Sequence, residues 1–147
     1  MNIIFLDFNG VLDTYENIDE INIDNLKRLK HIVDETKSKV VISSSLKNSY
    51  YYTGHYSVFL QKIIHEIETI GIEVIGITPK AKTREEEIKL YLNIHPEVSN
   101  YCILDDDYEM ESLKEHLVKL PTQSEGSLGL DDFYMNKAIK ILKRTKE

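Results

Sequence analysis

One cysteine among 147 residues excludes an internal disulfide. Cys102 lies inside the apolar run "YCIL", as a buried core thiol does, and a chain without disulfides suits a reducing cytosol. Long apolar runs are also missing. No stretch approaches the roughly 20 residues that span a bilayer, and Asp7 interrupts the N-terminal run, so neither a membrane span nor a secretory signal is expected. Positive charge is scarce: 18 Lys and Arg stand against 25 Asp and Glu, a formal net charge of −7. That balance argues against broad nonspecific binding to nucleic acid or anionic membranes, though not against a local basic pocket around a phosphate. There is no internal repeat and no low-complexity tract, and "TQSEGSLG" (122–129) reads as a polar loop, not a linker. The expectation is a cytoplasmic, globular, single domain over residues 1–147, long enough to bury a core without staples.

What is present alternates. Ile3 to Leu6 is an apolar run too short for a helix, so it reads as a buried strand. Leu26, Leu29, Ile32 and Val33 recur at helical spacing, with Asp24 as the expected N-cap. A second strand, Lys39 to Ser43, carries the β-branched Val40-Val41-Ile42. Phe59 to Ile70 gives a second helix ended by Gly71, and "IEVIGI" (72–77) a third strand. Arg84 to Leu92 is a third helix, "YCIL" (101–104) a fourth strand, and Leu117 to Leu120 a fifth after a short helical piece near Met110 to His116. A last helix runs from about Asp131 to Lys143, with Met135, Ala138, Ile139 and Leu142 inward. Apolar strands alternating with helices imply α/β architecture: a doubly wound, Rossmann-like parallel sheet of about five strands with helices on both faces.

In such a sheet ligands bind beyond the carboxyl ends of the strands, near the point where strand order reverses. Strand one ends in Asp7, strand two in Ser43-Ser44-Ser45, and strand four in Asp105-Asp106-Asp107. Lys80, Lys82 and Arg84 follow strand three, just before a helix. Acids, hydroxyls and cations at four strand exits suit phosphate chemistry, which depends on positioning and on neutralising oxygen charge. Asp7 can attack phosphorus as a carboxylate nucleophile, serine hydroxyls and a Lys or Arg can hold phosphate oxygens, and hard carboxylate oxygens from Asp7, Asp105 and Asp106 suit Mg²⁺. Taken singly, a strand-end Asp is usually a cap, a Ser triplet a turn and an acidic run a solvated face. Their joint placement favours a site.

"FLDFNGVLD", "VVISSSLK", "KAKTREEEI" and "YCILDDD", in that order, resemble the haloacid dehalogenase (HAD) superfamily of phosphohydrolases. More narrowly, "ISSS", "IGITP", "REEEI", "HPEV" and "YCILDDDYEM" are similar to the HAD domain associated with Swiss-army-knife RNA repair proteins. The resemblance implies Asp7 as nucleophile, and Asp7, the backbone carbonyl of Asn9, Asp105 and Asp106 as holders of Mg²⁺. It also implies phosphate contacts from Ser43 or Ser44, with Ser45 as a further alternative, and from Arg84, then Lys82, then Lys80. Asp107 is expected to be a turn or capping group. The chain between Leu12 and Leu26 is too short for an inserted cap domain, so the crevice is expected to be open. Open crevices admit large phosphorylated substrates, such as a nucleotide, a nucleic-acid end or a phosphoprotein. The tyrosines of "KNSYYYTGHY" (Tyr50, Tyr51, Tyr52, Tyr56) either stack on a base or pack on the domain. His55 reads as a surface histidine, and the other histidines lack ligand spacing.

One position departs from the superfamily pattern. The phosphatases carry an acid two residues after the nucleophile, and this chain has Asn9. An amide hydrogen-bonds but does not exchange a proton in this role, and general acid–base catalysis is worth roughly 10²–10⁴ in rate. The expectation is either an enzyme with impaired turnover or a pseudophosphatase that binds phosphate or a partner.

Overall fold

The computed structural model describes residues 1–106 and 109–144. Five parallel strands, β1 (Asn2–Leu6), β2 (Ser38–Ile42), β3 (Val74–Ile77), β4 (Asn100–Asp105) and β5 (Leu117–Lys119), form one sheet in the order β3-β2-β1-β4-β5. Strand order therefore reverses beside β1, between β2 and β4. The register sets Leu6 opposite Ile42 on one side and Leu104 on the other, so the next residue along each strand emerges at a common edge.

Strand geometry sends alternate side chains to opposite faces, and here both faces are buried. Ile4, Leu6, Val40, Ile42, Cys102 and Leu104 pack beneath α1 (Ile23–Thr36), α3 (Val58–Thr69) and α5 (Asp132–Leu142). Ile3, Phe5, Val41 and Ile103 face α4 (Arg84–Ile94) through Ile88 and Tyr91, together with Met110 and Leu113 around a short 3₁₀ turn. Phe5 meets Tyr91 and Tyr101 edge to face, at 5.5 and 5.7 Å between ring centroids. The α/β sheet with helices on both faces is thus as expected, and among the described residues no cap domain interrupts it. No helix among the described residues is long and apolar enough to cross a membrane.

Two local expectations change, and one further element appears. Asn22, not Asp24, caps α1: its side chain accepts the Asn25 N–H at 3.0 Å, while Asp24 lies in the first turn. Asn22 is fixed there because its own N–H bonds the Leu12 carbonyl at 2.7 Å. The third strand is shorter than "IEVIGI": its pairing with β2 begins at Val74 opposite Val40, and the register then shifts between Val40 and Val41. The tyrosine insert folds as a short helix, α2 (Asn48–Thr53), closed by Gly54. Adjacent tyrosines show no apolar periodicity, so the helix left no pattern to read. Asp107, expected as a turn or capping group, lies outside the described residues.

Cys102 is fully buried, and burial pushes its thiol far above the usual range. Only the thiolate is a good nucleophile. We therefore expect no iodoacetamide adduct on the native protein and a single adduct once it is denatured, read by intact-mass spectrometry. A rapid native adduct would contradict the packing.

Candidate active site

The reversal in strand order sets the site. Asp7 leaves β1 with its N–H bonded to the Leu104 carbonyl at 3.0 Å, and Ser43 leaves β2 with its N–H bonded to the Leu6 carbonyl at 2.8 Å. Asp7 therefore stands between the exits of β2 and β4. It lines a cleft of about 330 Å³ together with Asn9, Ser45, Arg84, Asp106 and the 122–124 loop. A larger concavity, about 610 Å³, lies between α1 and α3 against Ile23, Leu26, Phe59 and Ile63, and contains none of the strand-end acids. Chemistry, not size, selects the smaller one.

Asp7, Asp105 and Asp106 are all buried, and each offers a carboxylate oxygen within 4.8 Å of the others. The Arg84 guanidinium reaches into this set. Its Nη1 donates to Asp105 Oδ2 at 2.9 Å and to the Ser43 carbonyl, and lies 3.9 Å from Asp7 Oδ1. Burial, then the Asp105 charge, hold the Asp7 carboxyl well above the usual carboxylate range; Arg84 opposes this, and Asp106 adds to it. Three acids around one guanidinium carry surplus negative charge, and oxygen donors at this spacing are what a hard divalent cation takes. The residues present fit Mg²⁺. Such a cation would supply the charge that lets Asp7 act as an anion beside a phosphate.

The turn after β1 is built for close approach. Val11 and Leu12 donate to the Phe8 carbonyl at 3.1 and 3.0 Å, and Gly10 takes a φ of 79°. A Cβ at Gly10 would overlap the Asp106 carboxylate, so only glycine lets this turn pass the acid. Asn9 lies at the rim with both amide hydrogens used. Its Nδ2 donates to Asp13 Oδ2 and to Asp19 Oδ1, each at 2.8 Å. Asp13, fully buried, also accepts from the Gly10 and Asp19 N–H groups and from Gln123 Nε2, at 2.7, 2.9 and 2.8 Å. Sequence reading assigned no role to Asp13, which closes the motif "FLDFNGVLD" but is not a strand exit. It took 122–129 only as a polar loop, whereas Thr122, Gln123 and Ser124 wall the cleft.

The serines divide. Ser43 is completely buried, and among the described residues its hydroxyl has no hydrogen-bond partner. Ser44 caps the next turn by accepting the Leu46 N–H at 3.2 Å, and Ser45 alone of the three lines the cleft. The cations divide too. Arg84 enters the acid-lined cleft, whereas Lys80 and Lys82 line a neighbouring one of about 170 Å³. Lys47, unremarked in the sequence, is buried and bonds Glu87 Oε1 at 2.9 Å; the same oxygen lies 3.4 Å from Arg84 Nε. Glu87 falls one helical turn after Arg84, a spacing that places both on the buried face of α4.

Tyr50 packs edge to face against Tyr51 and Tyr56, each pair 5.4 Å apart, and the Tyr51 hydroxyl donates to the Thr78 carbonyl at 2.7 Å. These rings pack on the protein. Tyr50 and Tyr51 still keep 40% and 41% of their surface exposed, and Tyr52 is the most open at 76%. His55 is exposed, and among the described residues no histidine joins a cluster of metal-ligating side chains.

Comparison with the curated proteins and with the solved structures gives no match. A protein-family model, the HAD domain in Swiss Army Knife RNA repair proteins, matches residues 3–132 and so covers every strand exit described above. The chain belongs to that family, and its site is of the HAD phosphohydrolase-like kind.

Proposed function

We propose that this chain is a Mg²⁺-dependent phosphohydrolase whose turnover Asn9 impairs, acting on a phosphate monoester at the end of a nucleotide or nucleic acid. The observation carrying this reading is the three-carboxylate set around Asp7, crossed by Arg84 at the reversal of strand order. Asp7 attacks phosphorus, its new O–P bond forming as the bond to the leaving oxygen breaks. Arg84 and Ser45 line the cleft beside Asp7 and face the phosphoryl oxygens. The leaving oxygen takes its proton from water, because Asn9 has none to give. Water then cleaves the aspartyl-phosphate slowly, since no base at position 9 activates it. The family's association with RNA repair proteins supports a nucleic-acid or nucleotide substrate.

One observation favours a second reading, a pseudophosphatase that binds phosphate or a partner. The Asn9 amide is matched on both hydrogens by carboxylates, so the side chain fits a structural role without any chemistry.

p-Nitrophenyl phosphate separates the two, because nitrophenolate leaves without a proton. With Mg²⁺ we expect one burst of nitrophenolate per chain, then slow release, and mass spectrometry finding a phosphoryl group on Asp7. Mg²⁺ alone should raise the melting temperature, with stabilisation of roughly 2.7 kcal/mol at about a hundredfold excess over Kd. The sign with pH follows from Asp7. Its folded pKa lies above the unfolded one, so its stabilisation is complete in acid and lost as pH rises through the folded value. Mg²⁺ replaces the lost proton, so its melting shift should be larger at neutral pH than in mild acid. Mg²⁺-dependent phosphate binding without a burst would leave the pseudophosphatase reading standing alone.

A further inference from the structure

The cleft holding Lys80 and Lys82 adjoins the catalytic one, and the two share Ser45 and Arg84 as walls. Its charge runs against that of the protein, which carries a net −7. Its one acid, Glu87, is already engaged. Oε1 takes Lys47 at 2.9 Å, and Oε2 accepts the Ala81 N–H at 3.2 Å, which pins the loop that presents the two lysines. Among the described residues no carboxylate pairs with Lys80 or Lys82. Lys80 is nevertheless held in place: its ammonium lies 4.3 Å above the centre of the Tyr52 ring and donates to the Tyr52 hydroxyl. Tyr51, bonded to Thr78, ties α2 to the same loop. Both lysines precede the first turn of α4, where the helix dipole disfavours positive charge. Uncompensated cations, positioned there beside a phosphate-directed site, call for an anion.

We infer that this second cleft is a phosphate subsite, occupied by another phosphate of the substrate whose terminal monoester lies against Asp7 and Arg84. The inference rests on the proposed function and narrows it: the substrate carries at least two phosphates, either as a nucleoside bisphosphate or along a strand. A single terminal phosphate fills the first cleft and leaves Lys80 and Lys82 without a counter-ion.

The test is calorimetric titration of the full chain, with Mg²⁺, by three ligands: adenosine 5′-monophosphate, adenosine 3′,5′-bisphosphate and a 5′-phosphorylated dinucleotide. Charged hydrogen bonds, discounted for an open site, predict about tenfold tighter binding of two-phosphate ligands. In a Lys80→Ala/Lys82→Ala variant the preference should vanish. A control that removes the same charge elsewhere, Lys27→Ala/Lys140→Ala, should keep it. A preference for the bisphosphate alone assigns the subsite to a free nucleotide, and one that includes the dinucleotide assigns it to a strand. Equal affinity for one- and two-phosphate ligands overturns the inference, as does a variant that weakens all three alike. Failure of all three to bind the unmodified chain would instead remove the phosphate site itself, and the subsite with it.

Discussion

Asn9→Asp is expected to raise steady-state phosphate release by roughly 10²–10⁴, the range a positioned acid–base group contributes. Both steps gain. The new carboxyl protonates the leaving oxygen and then activates the water that cleaves the aspartyl-phosphate, so the p-nitrophenyl phosphate burst should give way to continuous turnover. The same change carries a structural cost. Position 9 faces Asp13 and Asp19, each at 2.8 Å from the amide it now presents, and a third carboxylate there loses two hydrogen bonds and meets two like charges. A penalty of about 1–3 kcal/mol is expected. Like charges raise the folded pKa of the introduced acid, which suits a proton donor. A raised folded pKa keeps stability in acid and loses it as pH rises, so the variant's melting deficit should grow from mild acid to neutral pH. Unchanged turnover would show that the missing acid is not what limits this site.

Arg84→Ala carries the largest expected loss of stability. Its guanidinium bonds Asp105 and the Ser43 carbonyl, approaches Asp7 and Glu87, and is itself only 7% exposed. Removing one partner from a buried ionic cluster strands the others, at roughly 3–5 kcal/mol. For a domain of this size that lowers the melting temperature on the order of 10 °C. Mg²⁺ should recover part of the deficit, since it supplies positive charge to the same carboxylates. Recovery by Mg²⁺ in Lys47→Ala should be smaller, because Lys47 pairs with Glu87, outside the triad. Thermal melts of the three proteins with and without Mg²⁺ decide it. Equal recovery in both variants would mean that Mg²⁺ does not sit among Asp7, Asp105 and Asp106.

The legible parts of this chain share one property: they depend on neighbours in sequence. Val40-Val41-Ile42 and "YCIL" announce buried strands because both faces of a parallel strand are apolar. The α1, α3 and α5 stripes show because helical periodicity recurs within one turn. Where that local signal fails, the reading fails with it. The tyrosines of α2 carry no periodicity, and the cap of α1 moved to Asn22 because a distant carbonyl, that of Leu12, holds it.

The sequence by itself determined the alternating α/β order, the acids and cations at the strand exits, and the anomaly of Asn9. Only the tertiary structure decided which of these meet. It sends Arg84 to the acids and Lys80 and Lys82 to the next cleft, places Ser45 on the wall where Ser43 was favoured, and gives Asn9 two carboxylate partners. It also brings Asp13 and Gln123 together from opposite ends of the chain. Strand type is set by residues a few positions apart. Register and loop convergence are set by hydrogen bonds between segments far apart, which no local pattern encodes.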